Sequence, residues 1–269
     1  VVHFEIPFDE VERAKAFYGD LFGWKIAPAE GSPGYWLITT TDEEGEKRDV
    51  EGGMMARQEP GQPIINYIDV ADLDESVRRV ADLGGTVVMG KTAVPKTGYF
   101  ALCRDTEGNV FGLWKTDPDA SVFSDAAEAF VAVMAAVIAA DEDYSVDEIR
   151  TVWHEVETLE LFAGKDYREL ESKVFKAFGK DPATPTAFAA GEIGTIIGSA
   201  RQMLDESLRE LAYKMAVKLA HADRTLKGYV REIDEREQAV LDRLREELGI
   251  TDTVAARIDE EVAESRYQF

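Results

Sequence analysis

Two side chains near the start of the chain have types and spacing suited to acid–base or metal chemistry. His3 and Glu5 lie two residues apart in the β-rich run 2–6. Residues two apart on a strand face the same side, so an imidazole and a carboxylate share one face. Buried, such a pair needs a partner: each other, a ligand or a metal. Glu51 stands two residues before Gly53 in a later β-like run. Other reactive residues are less well placed. Cys103 is the single cysteine, and Phe100, Leu102, Val110 and Phe111 around it predict a buried structural thiol. One cysteine excludes an internal disulfide and a Cys-based zinc site. His154 lies in Trp153-His154-Glu155-Val156-Glu157, but Thr158 stands where a zinc-peptidase helix needs its second His. His221 is expected to act on a helix dipole. The sequence has no phosphate-cradling Gly-Lys-Ser/Thr loop, no Gly-x-Gly-x-x-Gly, no Gly-x-Ser-x-Gly elbow and no basic stripe.

The elements that must position His3 and Glu5 recur. Strand 2–6 leads to a helix opened by Asp9 and running to Leu21, which Gly23 stops. Strands 24–26, 35–40 and 53–57 follow. The same order returns as strand 64–70, helix 72–83, and strands 86–89, 99–104 and 109–115. Phe22-Gly23-Trp24 falls on Gly84-Gly85-Thr86, an offset of about 62 residues. A βαβββ unit present twice predicts two half-sheets curled around one concave space, where small ligands bind. Alternation puts Val110, Gly112 and Trp114 on one face, and Ile65 with Tyr67. Met55, Trp36 and Tyr99 are the expected neighbours in the lining. Gly53 and Gly112 leave room for a flat organic molecule, and aromatic walls suit an aromatic or polyketide-like one.

At these residues a resemblance becomes specific. His3-Phe4-Glu5-Ile6-Pro7, Glu12-Arg13-Ala14, Phe17-Tyr18 and Leu21-Phe22-Gly23-Trp24 are similar to the opening of a vicinal oxygen chelate domain, the glyoxalase, bleomycin-resistance and extradiol-dioxygenase superfamily. Asp105-Thr106-Glu107-Gly108-Asn109 is similar to its closing hairpin. The resemblance covers residues 1–117 and implies a divalent metal held by the first and last strand of each module. The positions so assigned are His3, Gly53, Ile65 and Gly112. One donor among four argues for a metal-free cup. The alternative is a shifted site of His3, Glu5 and Glu51.

From Ala120 onward the chain reads as helix, after the linker Asp117-Pro118-Asp119. The expected helices include an apolar, Ala-rich one over 122–140 and one that Ser145 caps and that runs to about Phe162. Ala139-Ala140-Asp141, Ser145 and Glu148 are matched by Ala220-His221-Ala222-Asp223, Asp234 and Glu237. This repeat resembles the tellurite-resistance TerB-like domain over 122–265. That resemblance implies a weak Ca²⁺ or Mg²⁺ site at Asp141, Asp143, Glu148, Asp223, Asp234 and Glu237. Helix capping is the competing account of the same residues.

The expected fold class is therefore α+β: two βαβββ modules in residues 1–118, then an all-α domain in 119–269. A net charge of −23 on 269 residues opposes nucleic acid and anionic membrane as partners. No apolar run is long enough to span a bilayer, and the chain opens on a strand pattern rather than a secretory leader. The expected location is the cytoplasm, the expected assembly a homodimer, and the expected partner a small organic molecule. Three functions stay open: a metal-free binding module, a metal-dependent lyase, isomerase or dioxygenase, and an interaction protein with a vestigial cup.

Overall fold

The computed structural model describes residues 1–29, 33–42, 44–140, 153–181, 186–222 and 235–265. The chain divides into two compact units. One is Val1–Thr92 with Gly98–Asp117; the other is Ala93–Thr97 with the chain from Pro118 onward.

The first unit contains β1 (His3–Phe8), α1 (Val11–Phe22), β2 (Lys25–Pro28), β3 (Tyr35–Thr39) and β4 (Glu51–Ala56). The second module supplies β5 (Ile65–Asp69), α2 (Leu73–Asp82), β6 (Thr86–Val94), β7 (Gly98–Arg104) and β8 (Val110–Thr116). All eight strands form one curled sheet in the order β2-β3-β4-β1-β5-β8-β7-β6. Within each module the first strand runs parallel to the last, with Glu5 opposite Gly53 and Tyr67 opposite Gly112. The modules join where β1 meets β5 antiparallel, pairing His3 with Tyr67, Phe4 with Asn66 and Glu5 with Ile65. At the repeat offset this register is symmetric about the Phe4–Asn66 pair.

β1 shows why one strand serves two faces. Ile6 is buried with Ile38 and Met54, and Phe4, Phe8, Tyr18, Trp24 and Trp36 pack around them. The alternate residues His3 and Glu5 therefore point to the opposite, concave face. The cap of α1 falls on Glu10, one residue later than expected. Its carboxylate accepts from the Glu12 and Arg13 amides at 3.0 and 2.6 Å, while Asp9 takes Arg57 Nε at 2.9 Å. Gly23 ends α1 at φ 71°, the left-handed geometry that favours glycine. β6 runs past the expected Met89 to Val94.

The second unit is helical. It contains α3 (Ala126–Ile138), α4 (Tyr167–Ala177), α5 (Ala190–Met203), α6 (Glu206–Ala222), α7 (Glu235–Leu248) and α8 (Asp252–Ser265). α3 is apolar all round and buried from Ala127 to Ile138, because α4, α5, α6 and α7 all pack on it. Asp125 caps it through the Ala127 and Glu128 amides. The helix expected to run to Phe162 breaks instead. Residues 153–156 are helical, 157–159 turn, and Glu160–Phe162 is a short 3₁₀ segment. The break lets Phe162 meet Phe130 and Trp153 edge-on, with ring centroids 5.5 and 4.8 Å away. Among the described residues no helix is long and apolar enough to cross a membrane. Phe130 is fully buried, so Phe130→Ala is expected to cost roughly 3–5 kcal/mol. Chemical denaturation checks this, and a loss below about 1 kcal/mol would contradict the packing described.

Candidate functional site

Glu5 is the centre of the concave face. Tyr67 donates its hydroxyl to Glu5 Oε2 at 2.6 Å, and Tyr35 donates to Glu5 Oε1 at 2.9 Å. His3 Nε2 lies 2.9 Å from the Tyr35 hydroxyl oxygen. The Tyr35 proton is already directed at Glu5, so its oxygen accepts and His3 Nε2 carries the hydrogen. The order is His3 N–H to Tyr35, Tyr35 O–H to Glu5, and Tyr67 O–H to Glu5. The tautomer is assigned from this network, and it leaves Nδ1 as the ring's acceptor.

Two glycines make the network fit. A Cβ on Gly53 would lie 1.9 Å from the Tyr35 hydroxyl oxygen. A Cβ on Gly112 would lie 2.2 Å from Tyr67 Cδ1 and 2.7 Å from Cγ. The tyrosines thus fill the space above the two glycines, where any larger residue collides. Charge and burial keep the donors in place. Burial first, then the Glu5 carboxylate, pushes both phenols well above their ordinary range. Burial pulls His3 below 6.5, against the opposing attraction of Glu5 and Glu51. His3 is therefore a neutral imidazole near neutral pH.

Among the expected lining residues, His3, Glu5, Met55, Tyr67 and Trp114 share this face. Met55 is opposite Tyr35 in register, and Trp114 is one alternation beyond Gly112. Trp114 donates its indole N–H to Thr116 at 2.9 Å. Trp36 is not among them. It packs edge-on to Phe8 at 5.2 Å in the core on the other side of the sheet. Tyr99 also faces away: Lys91 Nζ lies 4.7 Å over its ring and 2.9 Å from Asp74 of α2. Both are corrections of one residue in strand phase, which reverses the face. Phe100, next to Tyr99, holds the cup position instead, edge-on to Tyr67 at 6.0 Å and opposite Trp114.

Sequence reasoning also missed Tyr35. The signal available was a strand-interior glycine, Gly53, beside a strand carrying an aromatic residue. Of the alternative ligand set, His3 and Glu51 are opposite each other in register, and Glu5 is two residues along from His3. Glu51 is ion-paired to Lys47, and both Glu5 oxygens hold phenols. Among the described residues no three His, Cys, Asp or Glu side chains form a group that could hold a metal. Of the acidic-turn candidates, Asp141, Asp143, Glu148, Asp223 and Asp234 lie outside the described residues. Glu237 is described, buried in the first turn of α7.

Two predictions follow from this geometry. Gly53→Ala and Gly112→Ala should each lower stability by roughly 1–3 kcal/mol. Gly112→Ala should cost more, because it strikes the base of a ring rather than its hydroxyl tip. Denaturation midpoints in the reverse order would contradict this. The second concerns pH. A His held below its unfolded value of 6.5 binds fewer protons when folded, so stability is complete above that pH. It falls as pH drops through 6.5 toward the folded value. Unfolding across this window should show the loss, and His3→Gln should flatten it.

Comparison with known proteins bears on the first unit. A family profile described as bleomycin resistance protein-like N-terminal matches residues 1–40. A glyoxylase-like domain-containing protein of Didymella fabae is 35% identical over 112 residues, 40% of this chain and 88% of that protein. The Mycobacterium bovis protein CFP32, described as a glyoxylase, is 32% identical over 117 residues, 42% of this chain. The chain spans 44% of the length of CFP32. Among solved structures, methylmalonyl-CoA epimerase from Mycobacterium tuberculosis is 18% identical with a TM-score of 0.34, covering 43% of this chain and 87% of that one. A likeness that weak carries no argument about chemistry. The Didymella match, covering most of its relative, carries the assignment: through its N-terminal unit, the chain belongs to the glyoxalase/bleomycin-resistance family of vicinal oxygen chelate domains.

Proposed function

We propose that residues 1–118 form a cup that binds a small organic molecule without a metal. The observation that carries this reading is the pair of glycines, Gly53 and Gly112, whose side-chain space is filled by Tyr35 and Tyr67. The family's metal would need donors at His3, Gly53, Ile65 and Gly112, and only His3 has one. Glycine and isoleucine side chains cannot ligate, so the residues present do not fit a divalent cation. What the face offers instead is an anchored carboxylate, a neutral imidazole with a spare acceptor, and aromatic walls. Those groups fix the orientation of a ligand by hydrogen bonding and stacking.

In the same proposal residues 119–269 form a TerB-like helical domain. It serves assembly, partner contact or cation binding at the acidic turns, in a stress or resistance setting. The chain acts as a cytoplasmic homodimer, with neither nucleic acid nor membrane as partner. Elemental mass spectrometry of the full chain, purified without added metal, tests the central claim. The expected result is no stoichiometric transition metal, and no change in His3→Ala. Stoichiometric transition metal that His3→Ala removes would overturn the reading in favour of a metal-dependent lyase, isomerase or dioxygenase.

A further inference from the structure

The duplication supplies an internal control. What one module carries and the other lacks is not demanded by the βαβββ fold. At the repeat offset, Phe22 and Trp24 at the end of α1 correspond to Gly84 and Thr86 at the end of α2, and Phe17 corresponds to Arg79. The connection facing the helix end differs too. Between β3 and β4 it runs over 40–50, whereas between β7 and β8 it is the tight turn 105–109. That turn closes on the end of α2: a Cβ on Gly84 would lie 3.6 Å from the Thr106 side chain, and one on Gly85 2.8 Å from the Arg104 carbonyl oxygen. In the first module Thr41 Oγ1 ties the longer connection to the Gly23 carbonyl oxygen at 3.1 Å. Around that tie lies an open cleft of about 610 Å³, lined by Leu21, Phe22 and Trp24 on the helix side and by Asp42, Glu44 and Arg48 on the other.

The apolar wall continues onto the outer face of α1. Phe17, Leu21 and Phe22 are 59%, 57% and 47% exposed. Phe17 and Leu21 are one helical turn apart, so they form one strip with the cleft. The strip is longer than a small ligand needs and has the aromatic content of a protein-docking surface. The polar wall is acidic. Among the described residues lining the cleft, Arg48 is the one cation, and it lies 3.8 Å from Asp42. Glu44, and Asp20 beside Leu21 in the chain, are exposed and make no ion pair among the described residues. With a net charge of −23 on the chain, a second copy is repelled and a partner of opposite sign is drawn in.

We propose that this cleft docks a basic segment of a partner protein. A leucine or aromatic side chain of the segment enters beside Phe22 and Trp24, and flanking lysine or arginine side chains meet Glu44 and Asp20. α1 packs on the face of β1 opposite the cup, so docking there is independent of what the cup holds.

Fluorescence anisotropy of the full chain with three short, dye-labelled synthetic peptides tests it. The first sets a tryptophan and two leucines among lysines. The second replaces those apolar residues with serine and keeps the charge. The third replaces the lysines with glutamate and keeps the apolar residues. The first should bind at least about tenfold more tightly than either of the others. Leu21→Ser and Glu44→Lys, both at exposed positions, should each weaken it at least about threefold. Leu83→Ser, the counterpart of Leu21 in the second module, should leave it unchanged. Equal binding of the serine peptide would reduce the effect to bulk charge and overturn the proposal. So would an equal loss in Leu83→Ser, or no saturable binding of the first peptide below about 1 mM. Self-association of the chain that Leu21→Ser abolishes would assign the cleft to a second copy and overturn it as well.

Discussion

A carboxylate cannot sit half-buried between two half-sheets without donors, and meeting that demand at Glu5 organises the concave face. The two donors come from different modules, Tyr35 on β3 and Tyr67 on β5. Tyr35 must cross β4 to reach β1, which is feasible only where β4 has no side chain in the way. Gly53 is that place. Tyr67 must lie flat against β8, and Gly112 makes room for it. Remove either glycine and a donor is displaced. Remove either donor and a charge loses half its solvation, the expensive kind of loss for a buried group. His3 extends the chain by one link, and its neutrality follows from the same burial.

The opposite face of β1 imposes a second constraint. Ile6, with Phe4 and Phe8 beside it, fixes the strand in the core under α1. A slip of one residue would bury Glu5 in that core and expose Phe4 to the cup. The apolar packing on one side thus enforces the polar geometry on the other, with no direct contact between them. The helical unit works differently. α3 is buried on every side by its neighbours, so its position depends on volume and shape rather than on any one hydrogen bond.

The duplicated βαβββ order, the shared face of His3 and Glu5, and the room left at Gly53 and Gly112 were all legible in the sequence. Each depends on local spacing or on a repeat, which sequence carries directly. Trp36 and Tyr99 were misplaced because facing depends on register against a neighbouring strand. Period-two alternation defines two faces without naming which is concave. Tyr35 escaped notice for a related reason: its role depends on reaching across an intervening strand. In the helical half, the buried apolar stretch of α3 was legible from composition alone. The break before Phe162 was not, because it is imposed by aromatic packing against Phe130 and Trp153.

The seam between the modules has one more property. Glu5 and Tyr67 are 62 positions apart, the repeat offset, so they are the same residue of two copies of one unit. Across the β1–β5 junction these counterparts bond directly, as acceptor and donor. A symmetric pair of first modules would set each Glu5 opposite a second His3 and leave it without the hydroxyl that Tyr67 donates. A symmetric pair of second modules would supply two hydroxyls and no anion. The copies have become complementary halves, as in an obligate heterodimer written into a single chain. The tether between them then does more than raise local concentration, because only the mixed pairing satisfies both partners at the join.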